Sequence, residues 1–403
     1  MKKIFVKFSF FIALVIIIAS SLLFYPTQVK AAENSNTVVL NTNENDDGKI
    51  IGYLGDTPQT RITSSNVVYH IMNKSFYIKN AYSGQYLDVC NGVASNYTNV
   101  WQYPYNGTAS QGWYINYNGD GTFTFYSELG NNMVLDIDNG SPYNEANVHI
   151  YEYNGTDAQK FKIGYTSSST YVIVTKVSNY DKSISTCYSG CTVGENIHQY
   201  DYAGLWSERW ILEPVEKDVD LGALYAMDNY NNYVEAFPNL TNMGGDCTNF
   251  VSQCMLASGI HHVDNWNILR KNGNYTNINN VSQLNDSWIV TDPSPWISAE
   301  EFKNYWVSHV SNGAYKATGQ QILDNPDMVW NVPVTQGCVI QIAKKTLLGD
   351  VGEAHHSMYI SGYINDGTHN TYALTYHSTN TLQTTLLDVC SRYPNEYFLF
   401  YAF

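Results

Sequence analysis

The chain has 403 residues, with 36 acidic against 21 basic side chains and a formal net charge of -15. That balance argues against nucleic acid and anionic membrane as partners, because counterion release at phosphates needs clustered Lys and Arg. The length exceeds what one compact core usually takes, so two domains are expected, and 34 tyrosines among many Asn, Gly and Thr favour short strands and turns over long helices. At the start, Lys2, Lys3 and Lys7 precede an apolar run from Phe8 to Tyr25 and then Val29-Lys30-Ala31. This reads as a secretory signal over residues 1–31, cleaved after Ala31 or else kept as an N-terminal anchor; either way the working part faces outward, and a secreted, extracellular or cell-wall-associated protein is expected. Residues 32–67 are polar and without periodicity, which predicts a flexible leader that contributes no core. The cysteines number seven, so at least one thiol is left over unless chains are crosslinked; Cys187 and Cys191 either close a small loop or stay as separate thiols.

A repeat follows. Gln85-Tyr86-Leu87-Asp88-Val89 returns as Met133-Val134-Leu135-Asp136-Ile137, and more weakly as Ser183-Ile184-Ser185-Thr186. In step with it, Asn99-Val100-Trp101-Gln102-Tyr103 is echoed by Asn147-Val148-His149-Ile150-Tyr151 and by Asn196-Ile197-His198-Gln199-Tyr200, with closing aromatics at Trp113, Phe161 and Trp210. Units of about 48 residues, made of short apolar segments between Gly, Asn and Ser turns, cannot each bury an apolar face, so three of them predict one closed all-β body. The recurring Leu-Asp-Val element, central aromatic, Asn-Gly turn and closing Gln-x-aromatic resemble ricin-type β-trefoil lectin modules, over residues 68–215. The resemblance implies carbohydrate binding through a carboxylate that accepts from vicinal hydroxyls, an aromatic face that stacks on the ring, and an amide. Asp88, Tyr103, Asn106 and Gln111 hold the matching positions in the first repeat, and Asp136, Tyr151, Asn154 and Gln159 in the second. In the third, Ser185 and Glu208 replace the Asp and the Gln, so Tyr200 keeps its face while the main acceptor is lost. Trp113, Phe161 and Trp210 are assigned to the core.

Asp218 to Glu235 carries helical periodicity and opens a second domain, 218–403. Next comes Gly244-Gly245-Asp246-Cys247-Thr248-Asn249-Phe250-Val251-Ser252-Gln253-Cys254, with Asp246 placed to cap, an apolar stripe, and Gly259 as the stop. A thiol on the first turn meets the positive end of the helix and unpaired N–H groups, which is expected to lower its pKa and to cradle an oxyanion. Cys254, two turns on, is expected in the core.

A base for Cys247 is sought in Glu353-Ala354-His355-His356-Ser357-Met358-Tyr359, read as a strand. If Asp366-Gly367 is the centre of a two-residue hairpin turn, His356 stands opposite His377, and the two imidazoles serve as base and orienting partner. His355 points away and is the weaker candidate; zinc lacks a third ligand of suitable spacing, so no metal or other cofactor is expected. GGDCTNFVSQ followed by HHSMYISGY and YHSTN resembles an amidase domain family related to CHAP and papain-like cell-wall hydrolases. The resemblance implies an α+β papain-like fold and amide hydrolysis through a thioester, with Cys247 as nucleophile and His356 as base. The third member is His377, or else Asn380, and Cys338 stands where related hydrolases usually place Asp. Peptidoglycan is the expected substrate, while the alternative is a secreted lectin or adhesion protein with an inactive second domain. Trp266, Trp288 and Trp296 line a groove or fill the core.

Overall fold

The computed structural model describes residues 50, 52–54, 71–166, 170–263, 265–271 and 274–403. The expected signal segment, and most of the leader, lie outside the described residues. No described helix is long and apolar enough to cross a membrane.

In the first domain the antiparallel strands Lys74–Asn80, Gly112–Tyr117, Phe123–Ser127, Phe161–Tyr165, Tyr171–Thr175 and Trp210–Pro214 pair in turn until the last meets the first. This closed ring leaves no open edge. Three hairpins cap it, Tyr86–Val89 with Thr98–Tyr103, Met133–Ile137 with Ala146–Glu152, and Lys182–Thr186 with Ile197–Asp201. Ring plus three hairpins is a β-trefoil. Leu87, Leu135 and Ile184 fill equivalent core positions, as do Val100, Val148 and Ile197, and Trp113, Phe161 and Trp210 are wholly buried as expected. The two tryptophans bury their indole N–H against the carbonyls of Leu87 (3.0 Å) and Ile184 (3.2 Å). On the pseudo-three-fold axis Asn99 donates to Asn196 at 2.8 Å, Asn196 to Asn147 at 2.8 Å and Asn147 to Asn99 at 2.9 Å. Each repeat thus supplies one amide to a closed ring, and no repeat completes it alone.

The leader departs from expectation. Gly52–Tyr53 pairs with Gly164 and Tyr165, and Leu54 is buried in the trefoil core. Leu54 closes the short apolar run Ile50-Ile51-Gly52-Tyr53-Leu54 and donates its N–H to the Ile163 carbonyl at 2.8 Å, so its cover comes from a strand more than a hundred residues away.

The second domain is a six-stranded antiparallel sheet in the order Ala314–Thr318, Tyr397–Tyr401, Val339–Lys345, Val351–Asn365, Asn370–Tyr376, Thr381–Thr385. Helices Val219–Asn229, Cys247–Ala257 and Ala299–His309 pack with Val339, Ala343, Tyr359 and Tyr401 on one face; Gly319–Asp324 and Leu386–Arg392 pack with Ile340, Ile342, Met358 and Phe400 on the other. The period-two alternation of these strands therefore serves two apolar layers. The first helix is shorter than the periodicity predicts. Asp218 caps it by accepting from the N–H groups of Asp220 and Leu221, and it ends at Asn229. Trp266, Trp288 and Trp296 are core residues on the thiol-helix face and line no groove.

The domains share a core, since Ala81 and Ile211 of the trefoil pack in the same cluster as Val234 and Phe237. Beneath them Lys79 Nζ stands 3.6 Å from Glu213, which also accepts from the Tyr86 hydroxyl at 2.8 Å. Burial pushes the Lys79 pKa down and the Glu213 pKa up, each opposed by its partner. The pair is retained at the junction because its members are buried together.

Candidate functional site

Cys247 is the first residue of its helix, delivered by Gly244 and Gly245 at φ 108° and 138°, values that a side chain resists. The helix start is pinned to the sheet by a polar chain: Tyr401 donates to Gln341 at 2.6 Å, Gln341 to Ser357 at 2.8 Å, and the Ser357 and Thr248 hydroxyls meet at 2.8 Å. The sulfur lies 3.8 Å from the Thr248 hydroxyl, and polar groups of Ser357 and Thr248 around it act to lower the thiol pKa. These hold the thiolate form, but at 8 % exposure burial dominates and raises the thiol pKa, with Asp246 adding to the rise. The expected lowering is corrected: in this conformation desolvation outweighs the helix terminus.

Asp246 does not cap the helix with its side chain. Its carboxylate accepts from the Leu240 N–H and the Asn249 amide, both at 2.9 Å, and lies 2.7 Å from His377 Nδ1. His377, 1 % exposed, also directs Nε2 at the Asn229 carbonyl, 2.8 Å away, and stacks on Phe250 at 4.0 Å. Both ring nitrogens are engaged by these oxygens, and neither is directed at the thiol. His377 therefore clamps the thiol helix to the end of the first helix.

The expected pairing of His356 with His377 is corrected. The loop after Asn365 has four residues rather than two, because Asp366 accepts from the N–H groups of Thr368 (2.8 Å) and His369 (2.7 Å), so pairing begins at Asn365 with Asn370. A bulge at Ser361 shifts the register again, to Tyr359 with Thr375, and continuing by two residues sets His377 opposite Ser357. His356 instead meets Tyr376 edge-on at 4.7 Å, and burial lowers its pKa to about 4, with His355 and Arg392 adding to the fall. It is a neutral imidazole at pH 7. His355 pairs with Glu396 at the surface, and Asn380 accepts from Tyr233 at 3.4 Å. Among the described residues no hydrogen bond joins Cys247 to His356 or His377. Asp246, Ser357 and Gln341 are the members that sequence reasoning missed; Asp246 was visible only as a cap, and nothing local marks the other two. Cys254 lies in the core as expected, and Cys187 and Cys191 are separate thiols.

In the trefoil, Asp88 accepts from Trp101 Nε1 at 2.8 Å, Ser110 at 3.3 Å and Asn106 at 3.4 Å, and burial pushes its carboxyl pKa up. Tyr103 is exposed and stacks on Trp101 at 5.7 Å. Gln111 is wholly buried: it accepts from the Asn106 N–H at 2.9 Å and donates to the Pro104 carbonyl at 2.9 Å. Gln159 repeats this by accepting from the Asn154 N–H at 2.8 Å, and it orients Asp136 with a 2.9 Å bond. Glu208 does the same for the N–H of Ala203. The closing Gln position thus ties a loop and faces no ligand directly. Asp136, Tyr151 and Asn154 line a surface pocket of about 390 Å³ that also takes in Tyr97 and His149. Within it His149 Nε2 is buried 3.3 Å from Asp136 without a hydrogen-bond partner.

Residues 216–401 match the family model described as "Putative amidase domain", and residues 65–151 and 127–200 match the ricin-type beta-trefoil lectin domain-like model. No curated protein matches the chain. Among solved structures, a designed three-fold symmetric protein, ThreeFoil, is 30% identical over 34% of this chain and 96% of its own, with a TM-score of 0.33. An exo-beta-1,3-galactanase from Clostridium thermocellum is 26% identical, covering 35% of this chain and 30% of that one, with a TM-score of 0.34. The C-half of an earthworm R-type lectin, solved with GalNAc, is 17% identical over 35% of this chain and 98% of its own, at 0.29. By the two family models, the chain joins a ricin-type β-trefoil lectin-like domain to an amidase-type domain of mixed α and β structure.

Proposed function

We propose that the protein is a secreted, carbohydrate-binding cysteine amidase that cuts amide bonds in peptidoglycan. The second domain is read as a relative of CHAP and papain-like hydrolases. The observation that carries this is the setting of Cys247: a thiol opening a helix, packed on an antiparallel sheet, with the Thr248 hydroxyl 3.8 Å from its sulfur. In the proposed reaction His356 takes the thiol proton as sulfur bonds to the carbonyl carbon, and the N–H groups at the helix start stabilise the oxyanion. The C–N bond then breaks, the leaving amine takes the proton from His356, and water hydrolyses the thioester, freeing the acid and restoring the thiol. The His356 ring lies against Tyr376, so reaching the thiol requires it to leave that contact. The trefoil holds the enzyme on glycan through Asp88, Tyr103 and Asn106 and through Asp136, Tyr151 and Asn154, which raises local substrate concentration. Release of new amino groups from purified cell walls tests the reading. The wild type should release them and Cys247→Ala should not; an equally active Ala variant refutes the mechanism.

One observation favours a second reading, a lectin whose amidase-type domain is inactive: Cys247 is 8 % exposed and neither histidine is bonded to it. Iodoacetamide at neutral pH separates the two, since preferential labelling of Cys247 supports the enzyme and indifference supports the lectin.

A further inference from the structure

Each trefoil hairpin turns through a residue of positive φ: Tyr97 at 66°, Glu145 at 67° and Gly194 at 80°. Each donates its backbone N–H into the next repeat, Tyr97 to Ile150 at 2.9 Å, Glu145 to Gln199 at 2.8 Å and Gly194 to Gln102 at 2.9 Å. The three are therefore equivalent, and each leans over its neighbour's site. What they bring differs. Tyr97 sets its ring 5.2 Å from His149 and 5.1 Å from Tyr151, walling the second site. Gly194 brings no side chain, and a Cβ there would stand 3.4 Å from the Trp101 ring. Glu145 brings an exposed carboxylate to the third repeat, the one whose own strand has Ser185 in place of aspartate.

We propose that the third repeat holds a sugar site whose acceptor carboxylate is Glu145, contributed by the second repeat, with Tyr188 and Tyr200 as its stacking faces. This rests on the sugar-binding reading of the trefoil and extends it to the position left without an acceptor. Tyr200, 39 % exposed, stacks on buried His198 at 5.4 Å and 26°. Tyr188 stands edge-on to the same imidazole at 6.2 Å and is 84 % exposed. Its φ of 52° is one that bulky residues avoid, and the asparagines at the equivalent turns, Asn91 and Asn139, tolerate it better. An aromatic held in a costly conformation and left in solvent gains nothing for the fold, whereas a stacking ring on a ligand explains it. Burial lowers the His198 pKa and Glu145 opposes that fall, so the carboxylate's field reaches the floor of the site. The ligand class is a saccharide whose vicinal hydroxyls donate to the carboxylate while its apolar face lies on tyrosine.

The test titrates the full chain with galactose and with N-acetylglucosamine by calorimetry, in the wild type, in Asp88→Ala/Asp136→Ala, and in that double variant with Glu145→Ala added. The expected result is that the double variant retains a single site, and that losing Glu145 weakens it about tenfold or more, as loss of a charge-assisted hydrogen bond does. Adding Tyr188→Ala instead should also weaken it. A wild type that binds while the double variant does not overturns the third site and leaves the other two standing. Residual binding indifferent to Glu145→Ala overturns the role of Glu145. A wild type that binds neither sugar overturns this site together with the lectin reading.

Discussion

In the trefoil every position occurs three times, and comparing Gln111, Gln159 and Glu208 shows that all three tie a loop. Asp246, Cys247 and His377 of the amidase-type domain occur once, so each role rests on one set of neighbours. Repetition separates what holds the fold from what is free to vary: the asparagine ring and the closing Gln or Glu keep their bonds in every repeat, while the turn residues Tyr97, Glu145 and Gly194 diverge. In the second domain structure and chemistry share the same residues, and His377 shows it. Its imidazole has the look of a catalytic group, yet both nitrogens are spent on holding two helices together.

The sharpest way to break that contrast is at the thiol. Cys247→Ala should lower amide hydrolysis about a thousandfold or more, read as amine release per mole of enzyme, since no neighbour can replace the nucleophile. Next is the clamp: His377→Ala strands the Asp246 carboxylate in a buried site and should cost about 3–5 kcal/mol of unfolding free energy in a urea titration. A cost below about 1 kcal/mol would mean that His377 is no clamp. The trefoil should give less at its axis, because three bonds share the load: Asn147→Ala should cost about 1–3 kcal/mol by the same measurement.

A pH effect follows from His356. Its pKa in the folded chain is depressed to about 4 from the usual 6.5, so the unfolded chain binds the proton first as pH falls. The stabilisation is complete above pH 6.5 and is lost progressively towards pH 4. His356→Phe should flatten that part of the stability profile, and an unchanged slope would place the titration elsewhere. The smallest effect expected is Glu208→Gln, within about 0.5 kcal/mol, because Gln111 and Gln159 already do that work in the sister repeats.

Much of the trefoil was legible because its signals are local and repeated: Leu87, Leu135 and Ile184 recur in register, and the closing aromatics fall in the core. The leader was misread because Ile50-Ile51-Gly52-Tyr53-Leu54 is a short apolar run without periodicity, and its cover comes from a distant strand. The start of the thiol helix could also be read, from two glycines, a cysteine and an apolar stripe. Its electrostatics could not be, since a helix terminus is a local feature while desolvation depends on everything packed around it.

By itself the sequence determined three matched units, a thiol on a first helical turn, and two histidine-bearing segments after it. Only the tertiary structure decided which groups meet. The four-residue loop at Asp366–His369 moves the register by two residues and the bulge at Ser361 moves it back by one, and a net step of one carries a side chain to the other face of a sheet. That is why His377 reaches Asp246 and not His356. Closure of three repeats around one axis likewise decided that each turn residue bonds into the next repeat, a relation that no single repeat contains.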